Sequence, residues 1–141
     1  MVKQDRFQVK VDAELKNLSV IADFISKSMS RLGIDVGVLE VQTAVDEACT
    51  NIIKYAYAGK GGTITITCEI KDNYFVITVR DNGKPFDPSS VPLPDLNADV
   101  EERKIGGLGI YLMRKLMDDV SYSFNAKEGN TLVMRKTMTG H

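Results

Sequence analysis

Residues 63–70, TITITCEI, alternate strictly between polar and apolar side chains, and no other feature of the chain constrains the fold as strongly. Such an alternation predicts a strand with one apolar face. Asp72 and Asn73 favour a turn, and residues 74–81, YFVITVRD, then return as a second strand. The resulting hairpin is antiparallel, and its apolar face needs a second layer of structure to cover it.

Two amphipathic helices are predicted before this hairpin. Apolar residues recur at steps of three and four from Leu15 to Leu32, which indicates a helix that ends near Gly33. A second helix is expected to start after Asp35, as its N-cap, and to continue to about Tyr57. The predicted core face of this second helix consists of Val45, Ala48, Ile52 and Tyr55.

The rest of the chain completes an α+β domain. A strand is predicted at residues 5–11, a helix that starts with glycines at 106–119, and two strands at 120–126 and 131–138. Residues 82–105 hold all four prolines and an acidic run, which is typical of a functional lid. This order predicts one domain over residues 1–141, a two-layer sandwich of helices on a mainly antiparallel sheet.

Composition and charge exclude several classes of protein. The 141 residues suit one core, and 18 basic against 19 acidic side chains indicate no binding to nucleic acid or to an anionic membrane. The sequence shows neither a signal peptide nor an apolar run of the roughly 18 residues that a membrane span needs. Cys49 and Cys68 are expected to be reduced core residues, so a cytoplasmic protein is the simplest interpretation.

The only histidine is the last residue, His141. A nucleophilic site built on an internal histidine is therefore excluded, and a zinc site would lack imidazole ligands. A phospho-accepting histidine within a dimerisation helix is excluded for the same reason.

Glu47 and Asn51 form the first of three stretches that can carry chemistry. They are four residues apart, so both side chains point to the same side of the second helix. An amide oxygen suits Mg²⁺ when phosphates and water complete the coordination, and a nearby carboxylate can orient or deprotonate a hydroxyl group. The alternative is a solvated helix flank in which Glu47 pairs with a lysine.

The other two stretches are DNGKPF (81–86) and GGLG (106–109). Asp81 can accept a hydrogen bond from an exocyclic amine, and Gly83 lets a flat ring approach the backbone. The glycines at a helix start allow backbone amides and the positive helix end to meet a phosphate. A strand-ending turn and hinge glycines of the lid are the respective alternatives.

Together, in this order and spacing, the three stretches resemble the N, G1 and G2 boxes of the GHKL ATP-binding superfamily. The segments DEACTNIIKYAY, DNGKPFDP, GGLGIYLMRKLMDDVSY and GNTLVMRK narrow the resemblance to the stand-alone anti-sigma-factor serine/threonine kinases of bacteria. The resemblance runs from residue 6 to residue 137 and implies the α+β sandwich of the GHKL (Bergerat) ATP-binding type.

The resemblance also implies roles for the matching residues. Asn51 would be the Mg²⁺ ligand, and Glu47 the carboxylate that acts on the incoming serine hydroxyl. Asp81 would hold the adenine amino group, with Gly83 in the same pocket. The start of the helix after the lid would close on the phosphates, and a threonine on the last strand would help to fix a water of the adenine site. These remaining cofactor-binding residues are Gly107, Leu108, Gly109 and Thr131.

By the same resemblance, the protein would use ATP and Mg²⁺, sequester a sigma factor and phosphorylate a serine of a STAS-type anti-anti-sigma partner. Such relatives work as homodimers, and the stripe of the helix at 15–32 or the first strand is expected to supply the interface. The alternative function is a nucleotide-gated binding module that transfers no phosphate. A GHKL ATPase or a histidine-kinase fragment is disfavoured by the short chain and the missing internal histidine.

Overall fold

The computed structural model describes residues 6–85 and 107–138 of the chain. The helical elements within these ranges are a 3₁₀ turn (Leu15–Asn17), α1 (Leu18–Arg31), α2 (Val38–Asn51), a π-helical turn (Ile52–Ala56) and α3 (Gly107–Leu116). The strands are β1 (Arg6–Asp12), β2 (Thr63–Lys71), β3 (Tyr74–Asp81), β4 (Asp119–Asn125) and β5 (Gly129–Thr137). The predicted order of helices and strands is confirmed wherever the structure describes the chain.

The described strands form one antiparallel sheet in the order β1-β2-β3-β5-β4. The predicted hairpin lies at its centre, where Ile64 pairs with Asp81 and Ile66 pairs with Val79. Asp72 and Asn73 both have positive φ angles, 50° and 68°, as a two-residue turn between twisted strands requires. The hairpin predicted from the strict alternation of residues 63–70 is therefore confirmed.

The core lies between one face of this sheet and the helices. Alternate residues of β2, β3 and β5 lie on that face and are buried, except the half-buried Ile70 and Lys136, and the helices cover the face with their apolar stripes. Cys49 and Cys68 are free and buried, as predicted, and burial raises the pKa of the Cys68 thiol to about 12. These packing relations confirm the two-layer α+β sandwich. Its largest fully buried side chains are Phe75, Ile21, Ile25, Met29, Ile64, Ile66, Ile77, Ile110, Met113, Met134, Val41 and Val45.

Two predictions about helix starts are wrong. The first helix is α-helical only from Leu18, and Leu15, in the preceding 3₁₀ turn, leaves 54% of its surface exposed. The second helix starts at Val38 rather than after Asp35. Its N-cap is Gly37, whose φ of 81° turns the chain into the helix without a side-chain cap. The delay has a physical cause, because Ile34 is buried and its N–H donates to the carbonyl of Met29, which ties the connection to the end of α1.

The second helix continues to Ala56, but its last turn is a π-helix. Tyr57 N–H donates to the carbonyl of Ile52, five residues earlier, and this wider winding buries Ile52, Ile53 and Ala56 together. Tyr55, which was predicted to face the core, is only half-buried. Single π-helical turns of this kind occur often at functional sites.

The predicted lid, residues 82–105, lies outside the described residues except for its first four positions, and so do Arg103 and Lys104. Within the described parts of the chain, no helix is both long and apolar enough to cross a membrane.

Candidate active site

A pocket lies between the helices and the sheet, where the end of β3 meets the end of α2. Its empty space, including the opening to solvent, is about 380 Å³. Apolar side chains make up most of the wall, and three buried polar side chains interrupt it. The lining residues are Ala48, Asn51, Ile52, Ala56, Asp81, Met113, Tyr122, Asn130 and Leu132.

Asp81, the last residue of β3, is the buried carboxylate of this pocket and is only 6% exposed. Its Oδ1 accepts hydrogen bonds from the N–H of Gly83 at 2.8 Å and from Nδ2 of Asn130 at 2.9 Å. No other described residue donates to this carboxylate, so Oδ2 is left to accept from a ligand. Burial raises the pKa of Asp81, and the hydrogen bonds from Asn130 and Gly83 partly oppose that rise. The carboxylate is thus held in one orientation with one acceptor to spare.

Gly83 lies in the segment that follows Asp81, and this segment packs against the end of the π-helical turn. A Cβ on Gly83 would lie 2.6 Å from the carbonyl carbon and oxygen of Ala56. Lys84 N–H donates to that same oxygen at 2.8 Å. The glycine is therefore required for the close approach of strand end and helix end, in addition to any approach of a ligand ring.

Tyr57 makes a second attachment between the helical segment and the sheet. Its hydroxyl donates to the carbonyl of Thr63 at 2.7 Å and accepts from the N–H of Asn82 at 2.8 Å. The backbone on both sides of Gly83 is thus fixed by hydrogen bonds to Ala56 and Tyr57. The position of Asp81 is determined by the helix end as well as by its own strand.

Asn51, at the end of α2, is 7% exposed and lines the pocket. Its side-chain amide makes no hydrogen bond with any other described residue, although a buried amide ordinarily has partners. A ligand in the pocket would supply them. Asn51 and Asp81 are therefore brought to one pocket, as predicted.

Glu47 lies one turn earlier on the same side of α2, about 6 Å along the helix axis, and does not line the pocket. It is half-buried. Burial raises the pKa of this carboxyl group, the neighbouring Asp46 raises it further, and Lys54 lowers it. Glu47 is thus next to Asn51 on α2 but outside the set of residues that line the pocket.

Residues 107–109 form the first turn of α3, as predicted from the glycines. Met113, one turn further along the same helix, lines the pocket. The amino-terminal end of α3, the positive end of its dipole, is therefore less than two turns, about 9 Å along the axis, from Met113.

Thr131 is not brought to the pocket. It lies on the opposite face of the sheet, in a groove lined by strand residues only, among them Arg80 and Val133. The polar side chain that the last strand contributes is Asn130, which is 3% exposed. The alternation of β5 contained this signal, because Leu132 and Met134 face the core and residue 130 shares their face.

A metal ion at this site would depend on few protein ligands. No group of three or more His, Cys, Asp or Glu side chains suited to a metal occurs among the described residues. The amide oxygen of Asn51, which has no partner among residues 6–85 and 107–138, fits Mg²⁺, which commonly takes one or two protein ligands and completes its octahedron with phosphate oxygens and water.

Comparison with known proteins gives the family. The histidine kinase-like ATPase domain family matches residues 11–136. Proteins named serine-protein kinase RsbW from Bacillus mycoides (strain KBAB4) and Bacillus cereus (strain G9842) are each 33% identical, over 96% of this chain and 87% of theirs. A crystal structure of the RsbU and RsbW domains of a Mycobacterium tuberculosis protein has the same fold, with a TM-score of 0.67 and 14% identity. That match covers 96% of this chain and 32% of the other. The chain therefore belongs to the histidine kinase-like ATPase domain family and, within it, to the group of the RsbW serine-protein kinases.

Proposed function

We propose that this protein is an ATP-dependent protein serine/threonine kinase that acts as an anti-sigma regulatory factor. The observation that carries the proposal is the convergence, in one apolar pocket, of two polar groups to which no described residue hydrogen-bonds. These groups are the second carboxylate oxygen of Asp81 and the side-chain amide of Asn51. The kinase relatives reported above support the same class of reaction.

The nucleotide would lie with its base at Asp81 and its phosphates toward Asn51 and α3. Asp81 Oδ2 would accept a hydrogen bond from the exocyclic amine of adenine, and Met113, Ile52 and Ala48 would contact the ring. Asn51 Oδ1 would bind Mg²⁺, which supplies neutralisation of the phosphate charge when it is bound. The amides at the start of α3, residues 107–109, would receive the phosphates.

Glu47 would act on the substrate hydroxyl. The serine oxygen attacks the γ-phosphorus, the bond between that phosphorus and the β–γ bridging oxygen breaks, and ADP leaves. The proton of the hydroxyl passes to the carboxylate of Glu47. Because burial and Asp46 raise the pKa of Glu47, this carboxylate is a better proton acceptor near neutral pH than an exposed glutamate. Alignment and charge neutralisation supply the rest of the effect.

The partners in this proposal are a sigma factor and a STAS-type anti-anti-sigma protein, in the cytoplasm, with a homodimer as the working form. The stripe of α1, considered for the dimer interface from the sequence, packs into the core of each protomer. We therefore assign the dimer contact to the first strand, β1, which pairs only with β2 among the described strands and so leaves its other edge for a second protomer.

The test is mass spectrometry of candidate STAS-domain proteins after incubation with this protein, ATP and Mg²⁺. A phosphoserine is expected with the wild-type chain and not with Glu47→Ala, which retains ATP binding in calorimetric titration. If the wild-type chain binds ATP and its STAS partner forms a complex without ever receiving phosphate, the kinase proposal fails. That result would support the nucleotide-gated binding module instead.

A further inference from the structure

Asn130 is the centre of a buried hydrogen-bond network beside the carboxylate of Asp81. Its Nδ2 donates to Asp81 Oδ1 at 2.9 Å, to the carbonyl of Gly83 at 3.1 Å and to the carbonyl of Lys84 at 3.2 Å. The hydroxyl of Tyr122 donates to its Oδ1. One side chain therefore joins β3, the segment after it, β4 and β5.

The orientation of this amide is fixed by the three acceptors around its nitrogen. Turning the amide over would place Asn130 Oδ1 against three other acceptors and would leave the hydroxyl of Tyr122 facing an NH₂ group. Acceptors cannot bond to one another, so only the observed orientation satisfies every member of the network. Asp81 Oδ1 and the carbonyls of Gly83 and Lys84 thus determine the direction in which Asn130 donates, and Tyr122 supplies a donor to its Oδ1.

The network also determines what the pocket can offer a ligand. Both N–H bonds of Asn130 are used by Asp81, Gly83 and Lys84, so this side chain has no donor left for a ligand. Asp81 Oδ1 already accepts two hydrogen bonds, which leaves Oδ2 as the acceptor for a ligand. This end of the pocket therefore presents an acceptor and no matching donor from these two side chains.

We propose that Asn130 is a positioning residue that sets the base specificity of the site, with Tyr122 supporting it by a hydrogen bond to its amide oxygen. The inference rests on the proposed function, in which Asp81 receives the nucleobase. A purine with a 6-amino group gives Oδ2 a donor, whereas a 6-oxo purine places an oxygen against it. A buried polar group left unpaired in this way discriminates strongly between otherwise similar ligands.

The test compares ATP with inosine triphosphate, which carries oxygen in place of the 6-amino group, by calorimetric titration. The wild-type chain is expected to prefer ATP by roughly tenfold or more, the value of a hydrogen bond to a charged group. Asn130→Ala frees Asp81 to rotate or to take a proton and donate to a 6-oxo group, so both ATP affinity and the preference fall. Tyr122→Phe leaves Asn130 Oδ1 without the donor of Tyr122, so the amide and the carboxylate of Asp81 are held less firmly and the preference falls, by less than in Asn130→Ala.

Thr131→Ala is the matched control, because its side chain lies on the opposite face of the sheet, and it should leave both affinities unchanged. Equal losses for the two nucleotides in Asn130→Ala, with the preference intact, would mean a structural role only and would overturn the inference. Should Asn130→Ala not fold, Tyr122→Phe, which loses one hydroxyl, decides the question alone. A wild-type chain that binds neither nucleotide would refute the proposed function itself, whereas unchanged specificity in a chain that binds ATP through Asp81 refutes only this inference.

Discussion

Gly83 lies so close to Ala56 that no methyl group fits between them, since a Cβ on the glycine would be 2.6 Å from the carbonyl carbon and oxygen of Ala56. Those atoms belong to the backbone and cannot move aside as the end of a side chain could. The end of β3 and the π-helical turn are thus fitted to each other at the position that carries Asp81.

Gly83→Ala should therefore lower both stability and nucleotide binding. Overpacking of this kind costs about 1–3 kcal/mol, and the forced shift would move Asp81 away from its hydrogen-bonding position. Denaturant unfolding and calorimetric titration with ATP measure the two effects. Lys84→Ala is the neighbouring control, since the exposed side chain goes while the N–H bond to Ala56 remains. A Gly83→Ala chain as stable and as active in binding as the wild type would contradict this packing.

Asp81→Asn should abolish ATP binding and make the unliganded protein more stable at neutral pH. Burial raises the pKa of Asp81 in the folded chain, so ionisation costs more in the folded than in the unfolded state. The folded state therefore binds the proton more readily, and wild-type stability falls as pH rises from the ordinary carboxyl pKa through the raised one.

The difference in unfolding free energy, variant minus wild type, is accordingly expected to increase across that pH window and to level off above it. Thermal unfolding of both chains in a series of buffers measures this difference. A difference that stays constant with pH, or that decreases, would show that burial does not penalise this carboxylate.

Asn51→Ala should weaken Mg²⁺-dependent ATP binding while costing little stability, because the amide has no hydrogen-bond partner among the described residues. Gln42→Ala on the same helix gives the opposite pattern. Its Nε2 donates to the carbonyl of Ala22 at 2.9 Å, so its loss should cost about 1 kcal/mol and leave ATP binding intact. Titrations with and without Mg²⁺, beside denaturant unfolding, separate the two amides. Equal ATP affinity in both variants would show that Asn51 does not take part in ATP binding.

Glu47→Gln should reduce phosphoryl transfer by about 10²–10⁴-fold, the usual contribution of a general base, with ATP binding retained. A variant of the adjacent carboxylate, Asp46, is the matched control. Asp46 raises the pKa of Glu47, so Asp46→Asn should keep the activity and shift its acidic limb to lower pH. Rates of partner phosphorylation across a pH series measure both effects. An acidic limb that moves to higher pH in Asp46→Asn would mean that another group is the base.

Most of the fold follows from periodicity in the sequence. The alternation of residues 63–70 predicted the central hairpin, and the positive φ angles at Asp72 and Asn73 are what its turn requires. Asp81 and Asn51 were both predicted to serve one ligand, and they line one pocket. These features are local, so short-range chemistry was enough to predict them.

What the sequence did not predict depends on contacts between distant residues. The delayed start of α2 comes from the burial of Ile34, and the π-helical turn lets Ile52, Ile53 and Ala56 all reach the core. The family resemblance pointed to Thr131 as a site residue, whereas the face of β5 that meets the helices carries its neighbour Asn130. The alternation of β5 places Asn130 on the core face, but its hydrogen bonds become apparent only when β4, β5 and the segment after β3 are seen together.

The alternation of the sheet has a consequence for communication within the molecule. On β3, Arg80 faces the open side of the sheet and Asp81 faces the pocket, and on β5 the neighbours Thr131 and Asn130 are divided in the same way. A protein bound to the open side and a small molecule bound in the pocket would contact adjacent residues of the same two strands. The distance a signal must travel between those two occupants is the thickness of one sheet, with no hinge or relay helix between them.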